Sequence, residues 1–127
     1  MIGKAIYSLL SNNAGVAALL GTKIYPERTP TTISQPFCIY SIYETPTNTK
    51  DGVSTLDHID IFISHFAASF ENGENINAAI RTVLDRFTGT VEGNNIDTIW
   101  FIDKDNQYDD DAELYQFDSQ YKLRLKK

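Results

Sequence analysis

The sequence has one cysteine, Cys38, so no disulfide can close within the chain. That residue sits in an apolar run, and nothing here calls for an oxidising compartment. No apolar stretch approaches the ~20 residues of a membrane-spanning helix. The opening Met1-Ile2-Gly3-Lys4 lacks the charged region, apolar run and small-residue cleavage site of a signal peptide, so no membrane partner is expected. Basic residues are in the minority, 11 Lys and Arg against 17 Asp and Glu, for a net charge of −6. A general nucleic-acid binder is therefore disfavoured, because its affinity comes from cations that release phosphate counterions. There is no internal repeat, no Gly-rich phosphate loop, no Ser nucleophile elbow and no paired-Cys motif.

What is present suits one domain, residues 1–127. Hydrophobic residues make up 42% of the chain and charged residues 22%. A chain of this size buries roughly two-thirds of its unfolded surface without metal or disulfide staples. Seven Tyr, seven Phe and one Trp are more aromatics than so small a core can hide completely. Some should line a surface used for contact.

Periodicity predicts the elements. Ile2, Ile6, Leu9 and Leu10 share a helical face over Ile2–Ser11. Asn12-Asn13 breaks that helix and caps a second, Ala14–Leu20, which Gly21 stops. Ile24-Tyr25-Pro26 is extended, because Pro26 disfavours helical geometry at Tyr25. Residues 26–36, with Pro26, Pro30 and Pro36, read as an irregular surface connection. Phe37–Glu44 is a strand with no clean polar face, hence covered on both sides or engaged in a subunit contact. A polar tip follows, with turn chemistry at Asp51-Gly52, and then a strand over Leu56–Phe66. In that strand Ile59, Ile61 and Ile63 alternate with His58, Asp60, Phe62 and Ser64.

Ile76, Ala79, Ile80, Val83, Leu84 and Phe87 predict a long helix over Glu74–Phe87, with Gly89 just beyond its end. Thr90-Val91 is a possible short strand, Glu92 to Asn95 a turn, and Ile96–Ile102 a strand. Asp103 to Glu113 reads as an acidic connection into a last strand, Leu114–Leu125. The expected fold is α+β: a single domain with a mainly antiparallel sheet of about four to five strands. A long helix packs on one sheet face, and one or two short helices stand at the N-terminus.

Candidate chemistry is sparse. His58 and Asp60 share a strand face and resemble a general-base pair, but no motif places a nucleophile beside them, and a solvated polar face explains them. Cys38, His58 and His65 lack the close paired spacing of a zinc site. Asp103 and Asp105 match the first ligand positions of a calcium loop. Gln107, Tyr108 and Leu114 then occupy positions where that loop needs a ligand, a glycine and a closing glutamate. No cofactor and no metal site is expected.

Taken together, the chain resembles the small tail-completion proteins of long-tailed phages and prophages, also called tail-terminator or head–tail joining proteins. The resemblance spans nearly the full length. It rests on "NNAGVAALLGTKIYP", "PFCIYSIYE", the polar "TPTNTKDG" tip, "HIDIFIS", the helix "NINAAIRTVLDRF", "TGTVEGNNIDTIWF", the acidic stretch and the closing "YKLRL". It implies a virion structural protein without a catalytic site, located at the tail–head junction and in host cytoplasm before assembly. Such proteins are similar in forming a ring, typically hexameric, that caps the head-proximal end of the tail tube and stops its polymerisation. The implied partners are further copies of the chain, the major tail tube protein and the head connector or stopper. DNA passes through without sequence-specific binding.

Three segments are candidates for such contacts. Asp103, Asp105, Asp109, Asp110 and Asp111 would line the channel, since acids repel phosphate and let DNA slide. The tip around Thr47, Asn48, Lys50 and Asp51 would meet tube or connector. Lys122, Arg124 and Lys126 would pair with the acidic stretch of a neighbouring copy. A stopper or adaptor of the neck, a small ligand-binding or enzyme domain built on His58 and Asp60, and a binding module outside any phage context are the competing readings.

Overall fold

A computed structural model of the chain describes residues 2–21, 23–27, 36–46, 56–110 and 113–126. Two short helices, α1 (Ile2–Ser11) and α2 (Ala14–Leu20), lead into strands β1 (Ile24–Pro26), β2 (Phe37–Pro46) and β3 (Leu56–Ala67). Helix α3 (Phe70–Leu84) follows, and then β4 (Gly89–Val91), β5 (Asn94–Asp109) and β6 (Leu114–Lys126). The local reasons are those the residues announce. Asn13 caps α2 by accepting from the Val16 amide at 3.1 Å. Gly21, at φ +62°, ends it in a conformation that disfavours side chains.

The strands form one sheet in the order β1-β2-β3-β6-β5-β4. β1 runs parallel to β2, and every other pair is antiparallel. The fold is α+β as expected, but with six strands rather than four or five. The possible strand at Thr90-Val91 forms as the edge piece Gly89–Val91, and the sixth strand is the extended Ile24–Pro26 on the other edge, each three residues long. Segments this short carry almost no periodicity, and a neighbouring strand decides whether they pair.

Two boundaries differ more instructively. α3 occupies Phe70–Leu84 instead of Glu74–Phe87. It starts earlier because Ser69 caps it, accepting from the Asn72 amide at 3.2 Å. It stops earlier because the chain is captured by β5: Arg86 N–H donates to Ile99 O at 2.6 Å, and Ile99 N–H donates to Phe87 O at 3.0 Å. The second difference is the acidic connection. Asp103 to Asp109 is not a loop but the distal half of β5, paired with β6 from Asp103↔Gln120 to Asp109↔Leu114. The ladder that β6 offers overrides the low strand propensity of Asp and Asn. Register shifts between Ile96 and Thr98 and between Phe101 and Asp103 mark bulges in this strand.

Burial along β2, β3 and β6 has a period of two. Cys38 and Tyr40, then Ile59, Ile61, Ile63, His65 and Ala67, then Phe117, Ser119, Tyr121 and Leu123 are buried, and their alternates are not. This face packs on Ile2, Ile6, Leu10, Val16, Leu20, Ile76, Ile80 and Leu84 of the helices. Each such fully buried aliphatic side chain contributes about 1.5–3 kcal/mol of transfer free energy. The opposite sheet face carries no helix among the described residues.

Candidate functional site

The helix-free face is built from alternate residues of four strands: Ser41 and Tyr43, His58, Asp60 and Phe62, Asp118 to Lys126, and Trp100, Asp103 and Asp105. Charge is sorted along it. At one end stand Lys122, Arg124 and Lys126, one strand position in two on β6. They are answered within the chain. Arg124 reaches Asp97 through Nη2 at 2.7 Å and Nε at 2.8 Å, Lys126 lies 3.7 Å from Asp97, and Lys122 lies 3.9 Å from Asp60. The Arg124 guanidinium also sits 5.9 Å from the Trp100 ring centroid.

At the other end the charge is negative. Asp103, Asp105 and Asp118 border a concavity of about 220 Å³ with Phe62, Ser64 and Gln120. Asp118 Oδ1 accepts from Ser64 Oγ at 2.6 Å and from Gln116 at 3.0 Å. Among the described residues no ion pair reaches Asp103, Asp105 or Asp118. Lys104, between the two β5 acids, points to the helix side and bonds Glu74 of α3 at 2.7 Å. The basic row and the acids therefore lie on one face of one chain, at its two ends.

Asp109 and Asp110 stand at the end of the β5–β6 hairpin, beside Tyr108. That end is held by edge-on aromatic contacts, Tyr108 to Tyr115 at 4.8 Å and Phe70 to Tyr115 at 5.9 Å. Partial desolvation, then Glu113, Tyr115, Asp110 and Asp109, raise the Tyr108 phenol above its ordinary pKa. Asp111, and the tip residues Thr47, Asn48, Lys50 and Asp51, lie outside the described residues.

The other sequence candidates separate. Asp60 faces Lys122, and no hydrogen bond joins it to His58. Cys38 and His65 are opposite each other on β2 and β3 on the core face, whereas His58 is on the other face, so the three cannot meet at one metal. No cluster of His, Cys, Asp or Glu among the described residues has metal-binding geometry. Burial pushes the Cys38 thiol up to about 12, which makes it inert near neutrality. His65 is a core residue: Nε2 donates to Gly73 O at 2.9 Å, and its ring stacks on Phe117 at 4.9 Å. Burial lowers its pKa to about 4, opposed in part by the Gly73 bond. The alternation that buries Ile59, Ile61 and Ile63 continues to position 65 and was the available signal.

One further feature has no sequence signal. A groove of about 440 Å³ opens between α1 and the β1–β2 end, floored by Tyr40 and Ile42 and walled by Tyr7. Its residues lie far apart in the chain, and only packing brings them together.

No curated protein matches the sequence. Solved structures do match the fold. One is a chain in the structure described as the virion of a native gene transfer agent particle. It is 21% identical, with a TM-score of 0.81, over 97% of this chain and 92% of that one. A family model, described as tail completion protein gp17, matches residues 4–126. That span takes in all six strands and α3, so the features quoted from the sequence and the sheet that carries them have one common source: the chain belongs to the tail completion protein gp17 family.

Proposed function

We propose that this protein is a virion structural component that caps the head-proximal end of a phage tail tube, stops its polymerisation and joins tail to head. It acts as a ring through which DNA passes, and its role is structural, not catalytic. The observation that carries this reading is the family match over residues 4–126. The fold likeness to a chain of a gene transfer agent virion supports it.

The charge layout fits the same role. Asp103, Asp105, Asp109 and Asp110 form an acidic stretch on and beyond the helix-free face, and such a lining gains nothing from counterion release and leaves DNA free to slide. Tyr43, 63% exposed where β2 runs toward the Thr45–Thr55 segment, extends the surface assigned to tube or connector. The ends of β6 and β5 supply opposite charges for a head-to-tail contact.

Deleting the gene from its parent phage or prophage and imaging the induced lysate tests the reading. Filled heads beside unattached, partly overlong tails are expected. Unattached tails of normal length would move the protein to a stopper or adaptor position in the neck. Normal joined particles would overturn the proposal.

A further inference from the structure

A row of four aromatic rings runs from the core to the surface on the helix side of the sheet. Phe117, at its inner end, is fully buried. Phe70, the first residue of α3, lies 5.6 Å from it. Tyr115 lies 5.9 Å beyond Phe70, and Tyr108 lies 4.8 Å beyond Tyr115. The ladder itself places the last two together, since Tyr108 faces Tyr115 across the β5–β6 pair. Phe70 and Tyr108 are nevertheless each 47% exposed. Exposed aromatic rings that adjoin one another, rather than stand singly, mark a surface used for contact.

The inner end of the row shows what such rings accept. Lys104 Nζ lies 5.7 Å from the Phe117 ring centroid and 2.7 Å from Glu74 Oε1. One ammonium is thus shared between an aromatic ring and a carboxylate. The outer end repeats those components. Partial desolvation raises the Tyr108 phenol, and Glu113, Tyr115, Asp110 and Asp109 add to it, which puts three carboxylates around that ring. Glu71 follows Phe70 in the first turn of α3. Among the described residues no ion pair reaches Glu71, Asp110 or Glu113. A basic side chain set against the outer rings would gain cation–π attraction and charge pairing at once.

We propose that the end of the β5–β6 hairpin docks a second virion protein, which sets an Arg or Lys side chain against Phe70, Tyr108 and Tyr115 among these acids. This deepens the ring reading above and rests on it. Asp103 and Asp105, the lining residues of that reading, lie on the helix-free face, whereas the aromatic row lies on the helix side and at the hairpin's end. The two surfaces therefore serve different neighbours. Another copy of this chain is the less complementary occupant. The chain carries a net charge of −6. Of its described cations, Arg81, Lys104, Lys122, Arg124 and Lys126 are already paired with acids of their own chain. A basic segment of a different protein supplies what the patch lacks, and the acids favour it over acidic competitors.

The test uses particles purified from a phage whose chain carries the photo-reactive p-benzoylphenylalanine in place of Tyr108, irradiated and mapped by mass spectrometry. A cross-link to a different virion protein is expected, attached next to an Arg or Lys. Attachment to another copy of this chain would overturn the docking and leave the ring reading standing. So would the absence of any cross-link from protein present in joined particles. Particles that join normally without the protein would overturn both. Independently, Tyr108→Phe keeps the ring and should leave the yield of infectious particles unchanged. Tyr108→Leu keeps apolar area without a ring face and should lower that yield by roughly tenfold, while the urea midpoint of the purified chain stays that of the parent. Equal yields from the two variants would overturn the proposal, because an aromatic face would then contribute nothing.

Discussion

Gly73→Ala probes the packing of α3 on the sheet, and its sign opposes the usual rule. In an exposed helix interior, Gly→Ala stabilises by about 1 kcal/mol. Here a Cβ would lie 2.6 and 2.8 Å from Cζ and Cδ1 of Phe117, and closer still to Cε1. Phe117 cannot swing away, because it is fully buried and packs on His65 at 4.9 Å and Phe70 at 5.6 Å. Relief therefore requires the helix to lift by about 1.5 Å or more to regain ordinary carbon–carbon spacing. Overpacking of this kind costs about 1–3 kcal/mol. Lifting α3 also stretches the 2.9 Å bond from His65 Nε2 to Gly73 O. His65 Nδ1 already lacks a partner, so losing that bond adds about 1–3 kcal/mol. Against the propensity gain, a net loss of about 1–5 kcal/mol is expected. Urea unfolding at pH 7 measures it as a lower midpoint at unchanged slope. Phe117→Leu should be less harmful in the Gly73→Ala background than alone, with a coupling of about 1 kcal/mol or more. A midpoint that stays put or rises would refute the account of this contact.

Other expectations follow from the same geometry. His65 has an ordinary pKa of 6.5 and a folded value of about 4, so between these the unfolded chain binds a proton that the folded chain refuses. Stability should be insensitive to this group above pH 6.5, and should fall as pH drops toward 4 by up to roughly 3 kcal/mol; His65→Gln should flatten the slope between pH 7 and 5. Asp97→Asn removes the partner of Arg124 and Lys126, but the pairs are partly exposed, so calorimetry should show a loss of no more than about 1 kcal/mol. Neutralising Lys122, Arg124 and Lys126 to Gln should reduce incorporation into tails while the chain still folds. Reversal to Glu is a poorer test, because it would set new acids against Asp60 and Asp97. His58→Ala with Asp60→Ala should leave particle assembly intact; loss of function without unfolding would favour a ligand-binding role for that face.

Much of this fold was legible in single segments. Ile2–Ser11, Ala14–Leu20 and the cores of β2, β3 and β6 follow from one-dimensional patterns, because burial of one face imposes a period on residues that are neighbours in the chain. The family resemblance was carried by the same segments in order. The acidic stretch shows the limit. Its composition says loop, yet β6 folds back on it and makes it a strand. The end of α3 shows it again, since the helical pattern runs on through Phe87 and the capture of Arg86 and Phe87 by Ile99 cuts it short.

The candidate surfaces were less legible still. The acids and bases were visible as two runs of charge, but not that Asp97 already holds Arg124, or that Lys104 belongs to Glu74 across thirty residues. Nor could the chain alone bring Gly3 and Tyr7 beside Ile42. A side chain's own periodicity records whether it is buried. Which partner buries it, and which edge stays open, depends on contacts between distant segments, and those exist only once the sheet has closed its register.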